Sequence, residues 1–163
     1  DGNGRIGRLL IILQLIYYGI LKKPTLYLSQ FFEKHRTLYY DKLNSIRETN
    51  NIEQWIEFFL EGVIETARNS KITLENIVKL KQRYEEKIIQ MGRRAKYSHH
   101  LLWFMFSNPI INVKQFANEA NLSFKSANNI VDYLEKIGLL KEITNFNRNR
   151  LFMLWEYLEI FKK

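Results

Sequence analysis

Asp1-Gly2-Asn3-Gly4-Arg5-Ile6-Gly7-Arg8 stand directly ahead of an apolar helical run, Leu9 to Tyr17. An acid, three glycines and two arginines at a helix start suit a phosphate and its metal ion. The first backbone N–H groups of a helix have no intrahelical partner, and the helix dipole is positive there. Glycines let that backbone approach a ligand closely. Arginines grip phosphate oxygens in bidentate fashion. One carboxylate, Asp1, suffices to hold the Mg²⁺ that accompanies a nucleoside triphosphate.

Rival readings of the same residues fare worse. Gly2-x-Gly4-x-x-Gly7 matches the dinucleotide fingerprint in letter. That fingerprint needs a strand before it and an acid about 20 residues on, at the end of a second strand. Lys22 to Leu28 holds no acid, and Glu33 falls within a helical pattern. A calcium loop starting Asp1-x-Asn3-Gly4 needs an oxygen ligand at its fifth position and Glu at its twelfth. Arg5 and Ile12 stand there. A purely structural glycine turn leaves unexplained why Arg5 and Arg8 stack on one helix face, a repulsive pair without an anion.

Asp1-Gly2-Asn3-Gly4-Arg5-x-x-Arg8 resembles the second half of the Fic motif, His-x-Phe-x-(Asp/Glu)-Gly-Asn-Gly-Arg-x-x-Arg. Pro24 to Ser29, Phe32 to Arg36, Tyr39-Tyr40 and Trp55 to Gly62 are also similar to Fic proteins, so the likeness covers residues 1 to about 70. It implies AMP transfer from ATP to a Ser, Thr or Tyr hydroxyl of a target protein. Asp1 would hold Mg²⁺; Gly2, Asn3 and Gly4 would form the anion nest; Arg5 and Arg8 would neutralise the outer phosphates. Tyr40 would lie against the adenine, with Arg47 two turns on.

The family's general base is a His four positions before Asp1, outside these residues. His35, His99 and His100 do not replace it and are expected to be structural or exposed. The chain is therefore expected to be the C-terminal part of a longer protein and not to transfer AMP alone. The family's inhibitory Ser/Thr-x-x-x-Glu-Gly/Asn element is not matched, since Glu57 and Lys71 precede Glu61-Gly62 and Glu75-Asn76 by four residues. Two alternatives remain: a DNA-binding regulator whose Fic half only senses nucleotide, and an AMP-removing hydrolase.

These residues need a frame to hold them. The fold class expected is mainly α, in three parts: residues 1–70 as Fic core, 71–96 as a basic connecting helix, and 97–163 as a winged helix-turn-helix. With two prolines and seven glycines, helices can run long. Apolar spacing predicts helices from Asn3 or Arg5 to Tyr18, Ser29 to Glu48, Ile52 to Asn69, and Leu74 to Met91 with Thr73 as cap. Lys22-Lys23-Pro24 reads as a turn. Three short helices follow, His99 to Ser107, Val113 to Ala120, and one capped by Ser123 that runs to Lys136. Extended runs Leu139 to Ile143 and Arg150 to Leu154 flank a hairpin loop, and Glu156 to Phe161 forms a terminal helix. In this frame Lys125, Asn128 and Asn129 could reach DNA bases, and Arg148 and Arg150 its phosphates. Phe124, Ile130, Val131 and Leu134 are expected in the core.

Hydrophobic residues make up 46% of the 163, which excludes a disordered chain. The absence of cysteine excludes disulfides and zinc–thiolate sites and fits a cytoplasmic location. The longest apolar stretch, about Leu9 to Leu21, is too short to span a bilayer, so no membrane partner is expected. Net charge is +8. Residues 71–96 carry eight Lys/Arg against three Asp/Glu, most of that excess. Such a segment serves solubility or nucleic acid. The last part's excess of two is small for a DNA footprint, so docking or homodimer formation is expected there.

Overall fold

The computed structural model describes residues 3–22 and 27–162, apart from the side chains of Asn3 and Arg93. The expected turn at Lys22-Lys23-Pro24 lies largely outside the described residues. The chain is mainly helical, with one small antiparallel sheet. It divides into two compact units at Ile72/Thr73.

Among the described residues, the regular structure of the first unit is all helix. Helix α1 spans Asn3–Tyr17. Gly19 closes it at φ 71°, donating its N–H to Ile16 O at 3.0 Å. A left-handed residue at that place is what glycine supplies at least cost. Helices α2 (Leu28–Lys34) and α3 (Arg36–Thr49) replace the single helix expected over 29–48. The break falls at His35, whose backbone leaves the helical region at φ −108°, ψ 37°. No glycine or proline stands near it in the chain. The kink lets Phe32 of α2 and Tyr39 of α3 meet at 5.0 Å and both face Trp55, at 6.1 and 5.4 Å.

Helix α4 runs Glu53–Ile89 without interruption. Two helices were expected, with a cap at Thr73. No proline occurs in that span, so a Thr alone gives the chain no reason to stop. Residues up to 72 belong to the first unit. There Leu28, Phe31, Phe32 and Phe58 form the buried cluster, with Ile11, Ile12 and Tyr39 packed against it. Thr66 continues the buried stripe, while Ala67 is exposed. Its hydroxyl is satisfied by Gly62 O at 2.6 Å.

The second unit begins inside α4. Leu80, Tyr84 and Ile88 are buried in its core, so the basic stretch is a packed element rather than a bare connector. Several of its cations have partners: Lys81 Nζ sits 3.6 Å from the Trp103 ring centre, and Arg94 lies over Tyr133 at 5.3 Å. Arg83 pairs with Glu156. Gly92, at φ 58°, ends the helical run and opens a single 3₁₀ turn, Gly92–Arg94. Helix α5 (Ala95–Ser107) follows, then strand β1 (Ile110–Asn112), which the pattern did not reveal. Three residues are too few for alternation to show.

Helix α6 (Val113–Glu119) opens on a capping box. Asn112 Oδ1 accepts from Gln115 N, and Gln115 Oε1 accepts from Asn112 N, both at 2.8 Å. Helix α7 (Phe124–Lys136) is capped by Ser123, as expected. Gly138 turns the chain at φ 77°. The expected extended runs shorten to β2 (Lys141–Glu142) and β3 (Leu151–Met153). Strand β3 is central, in the order β1-β3-β2, with Ile111 opposite Phe152 and Glu142 opposite the same residue. Helix α8 (Trp155–Glu159) ends the chain's regular structure. Leu101, Met105, Phe116, Val131, Leu134, Phe152 and Leu154 fill the core between these elements.

Candidate functional site

The eight-residue motif leads straight into α1. Asp1 and Gly2 lie outside the described residues, as does the side chain of Asn3. Gly4 and Arg5 occupy the first turn and are exposed; Arg8, one turn on, is half-buried. A Cβ built on Gly4 would lie 3.6 Å from Arg8 Nη1, so this guanidinium folds back over the helix start. No acid occupies the described first turn of α1 to neutralise it. The start of α1 thus combines unsatisfied N–H groups, the positive dipole end and two guanidinium groups, an arrangement suited to a polyanion. Ile11 and Ile12 anchor the helix on the aromatic cluster and fix its direction.

Tyr40 sits on α3 with its ring about half exposed. Its ring contacts are Tyr39, edge-on at 5.3 Å, and the Arg36 guanidinium at 5.9 Å. It is not a core residue, and the Arg36 guanidinium lies over one face of its ring. His35 packs on Phe31 at 4.6 Å. His99 and His100 face Glu85 and Glu119 at 3.5 and 3.7 Å. None of the three lies beside the motif in sequence or takes the place of a base there.

The second predicted surface is split by the structure. Lys125, Asn129 and Arg148 are exposed. Asn128 and Arg150 are joined to each other instead. Arg150 Nη2 donates to Asn128 Oδ1 at 3.0 Å and to Asp132 Oδ1 at 2.6 Å. Asn128 Nδ2 donates to Asp132 Oδ2 at 2.6 Å, and Glu142 lies 3.7 Å from Arg150 Nη1. The Asp132 hydrogen bond holds the Arg150 guanidinium above its usual pKa, against the opposing effect of burial. This network ties α7 to β3 and β2, which makes Arg150 a strut of the hairpin. The sequence signal was present in the i, i+4 pair Asn128/Asp132, which sits on one helix face.

Phe124, expected in the core, is instead 61% exposed, because it occupies the first turn of α7 ahead of the buried positions Ala127, Ile130, Val131 and Leu134. Phe146 in the hairpin loop is exposed to the same degree. Elsewhere in this unit, a cleft of about 270 Å³ is lined by Asn76, Lys79, Leu80, Arg83, Glu156 and Ile160. Arg83 and Glu156 neutralise one another there. None of the predicted site residues lines it.

Among the described residues no group of three His, Cys, Asp or Glu could hold a metal ion. No described helix is long and apolar enough to cross a membrane. No protein-family model matches the chain.

Proposed function

We propose that this chain is the nucleotide-holding part of a Fic-type protein AMP transferase, followed by a winged helix-turn-helix. The observation that carries the reading is the run Asp1-Gly2-Asn3-Gly4-Arg5-x-x-Arg8 at the start of α1. Arg5 and Arg8 offset the charge of the outer phosphates. The free N–H groups at the helix start take the remaining oxygens. Transfer of this kind depends mainly on positioning and on charge stabilisation, which these groups supply. Mg²⁺ would be held by Asp1 and chiefly by the phosphates themselves. A single carboxylate fits that role, because Mg²⁺ keeps most of its other ligands as water and phosphate oxygen.

The order α5, β1, α6, α7, β2, β3, with a loop of exposed residues between the last two strands, supports the winged helix reading of the second unit. Arg150 and Asn128 are engaged with Asp132, and Phe124 and Phe146 are exposed. Both features favour a protein-docking role over DNA readout. The DNA-binding alternative rests on Lys125, Asn129 and Arg148 alone.

Calorimetric titration with Mg·ATP tests the first reading. Binding is expected, and Arg8→Ala is expected to weaken it by about tenfold or more, the usual worth of a charge-assisted phosphate contact. AMP, which lacks the outer phosphates, is expected to be nearly indifferent to that change. If the unaltered chain takes up no Mg·ATP, the reading fails. Labelled-ATP transfer by a chain that includes the residues preceding Asp1 then separates a transferase from a nucleotide sensor.

A further inference from the structure

We propose that the start of α7 and the loop between β2 and β3 form a docking surface for an acidic peptide segment that carries aromatic or large aliphatic side chains. This rests on the docking role given above to the second unit and adds the chemistry of the partner. Phe124, in the first turn of α7, is 61% exposed, and Phe146, in the loop, is 62% exposed. Scattered apolar side chains at a surface need no explanation, but two phenyl rings on adjoining elements of a unit with its own buried core do. The elements adjoin through one stripe of α7. Phe124, Asn128 and Asp132 follow one another on it at four-residue spacing. Arg150, where the loop runs into β3, donates to both Asn128 and Asp132.

The loop is held in shape at both ends. Asn145 and Asn149 adopt left-handed backbone, at φ 53° and 54°, which asparagine tolerates better than most residues. Thr144 Oγ1 accepts from Leu151 N at 3.2 Å, and Ile143 N donates to Leu151 O at 3.0 Å. A loop already ordered loses less entropy when a partner binds.

Charge selects the partner. Lys125 follows Phe124 directly, and Arg148 lies two residues past Phe146. Both are exposed, and among the described residues neither is in an ion pair. The neighbouring acids Asp132 and Glu142 are taken by Arg150. Helix α7 carries two cations and two acids, and residues 139–154 carry three cations and one acid, so the surface has an excess of two. That is small for a strand with a phosphate at every nucleotide and enough for one or two carboxylates. Asn129, Asn145, Asn147 and Asn149 are also exposed, and their amides both donate and accept. Peptide groups need both, whereas a phosphate backbone only accepts. The two rings supply the aromatic anchors that are enriched at the centre of protein interfaces.

Selection from a random dodecapeptide library displayed on phage, with the whole chain as bait, is the test. Recovered peptides are expected to be enriched in aspartate and glutamate and to hold at least one aromatic or large aliphatic residue. As fluorescein-labelled synthetic peptides in anisotropy titrations, they are expected to lose affinity about tenfold or more on Phe124→Ala, and likewise on Phe146→Ala. Lys125→Glu with Arg148→Glu is expected to weaken them by a similar factor, and added salt to weaken the parent complex. Phe146→Trp keeps an aromatic anchor and is expected to retain binding. All four positions are exposed, and circular dichroism checks that each variant keeps the parent fold.

Neutral or basic peptides that need both rings would overturn the acidic partner and leave the docking role standing. Peptides indifferent to both rings, or no peptides at all, would overturn the two together. A twelve-nucleotide oligothymidylate that binds more tightly than the best peptide, with the same dependence on the rings, would assign the surface to single-stranded nucleic acid instead. Self-association of the parent chain that Phe124→Ala abolishes would assign it to a second copy.

Discussion

Tyr84 shows how one buried hydroxyl links the fold to pH. Its ring is fully buried in the second unit's core, and its Oη donates to Glu156 Oε1 at 3.1 Å. Burial first, and then the Glu156 carboxylate, raise its pKa well above the ordinary tyrosine value. A raised folded-state pKa means that the folded protein holds a proton which the unfolded chain releases near pH 10. This contribution is complete below that pH and is lost as pH rises further. Stability measured by urea unfolding is therefore expected to fall progressively as pH rises above about 10, in addition to any general alkaline effect. Tyr84→Phe removes the titrating group and should flatten that part of the profile. At neutral pH the same substitution should cost about 1 kcal/mol, the net worth of the hydrogen bond to Glu156. An unchanged alkaline slope in the variant would mean that another group titrates there.

At the scale of elements, the seat of Phe31 of α2 against α4 depends on a missing side chain. A Cβ on Gly62 would lie 2.6 Å from Phe31 Cδ1, and Phe31 is itself buried among Phe32, Phe58 and His35. In an exposed helix Gly→Ala stabilises by about 1 kcal/mol. Here the ring must move within a packed cluster, which costs about 1–3 kcal/mol, so the overpacking wins. Gly62→Ala is expected to lower the urea midpoint of the first unit, while Gly7→Ala, with no atom within 4 Å of its Cβ, should not. Nothing in the local sequence distinguishes these two glycines. The same limit explains the helix boundaries. Caps and stops carried by side chains were legible: Ser123 and the glycines at 19, 92 and 138 act as their residue types suggest. The kink at His35 and the unbroken passage through Thr73 were not, because both follow from which aromatic or aliphatic groups must meet in space. Strand β1 is likewise set by its pairing to β3, not by its own three residues. In the candidate site the motif and its position at a helix start could be read directly. The capture of Arg150 by Asp132 and Asn128 could not, since it joins residues 18 and 22 apart in the chain.

For the molecule as a whole, nucleotide binding and stability should be linked in one unit. The groups proposed to hold Mg·ATP, Arg5 and Arg8, stand on α1 in the first unit, and Ile11 and Ile12 of the same helix pack on that unit's cluster of Leu28, Phe31, Phe32 and Phe58. The second unit has its own core, in which Tyr84 is buried. A ligand that binds only the folded form raises stability by RT ln(1 + [L]/Kd), about 2.7 kcal/mol at a hundredfold excess over Kd. Mg·ATP is therefore expected to raise the urea midpoint of the transition that Gly62→Ala lowers. AMP should raise it much less, because it lacks the phosphates that the arginines are proposed to hold. Arg8→Ala should remove most of the Mg·ATP shift, since a charge-assisted contact is worth roughly 1.5–3 kcal/mol. Both titrations need matched ionic strength, because salt alone screens exposed charges over a Debye length of about 8–10 Å. If Mg·ATP stabilises the parent chain and the Arg8→Ala chain equally, the nucleotide is held by other groups and the role proposed for Arg8 fails.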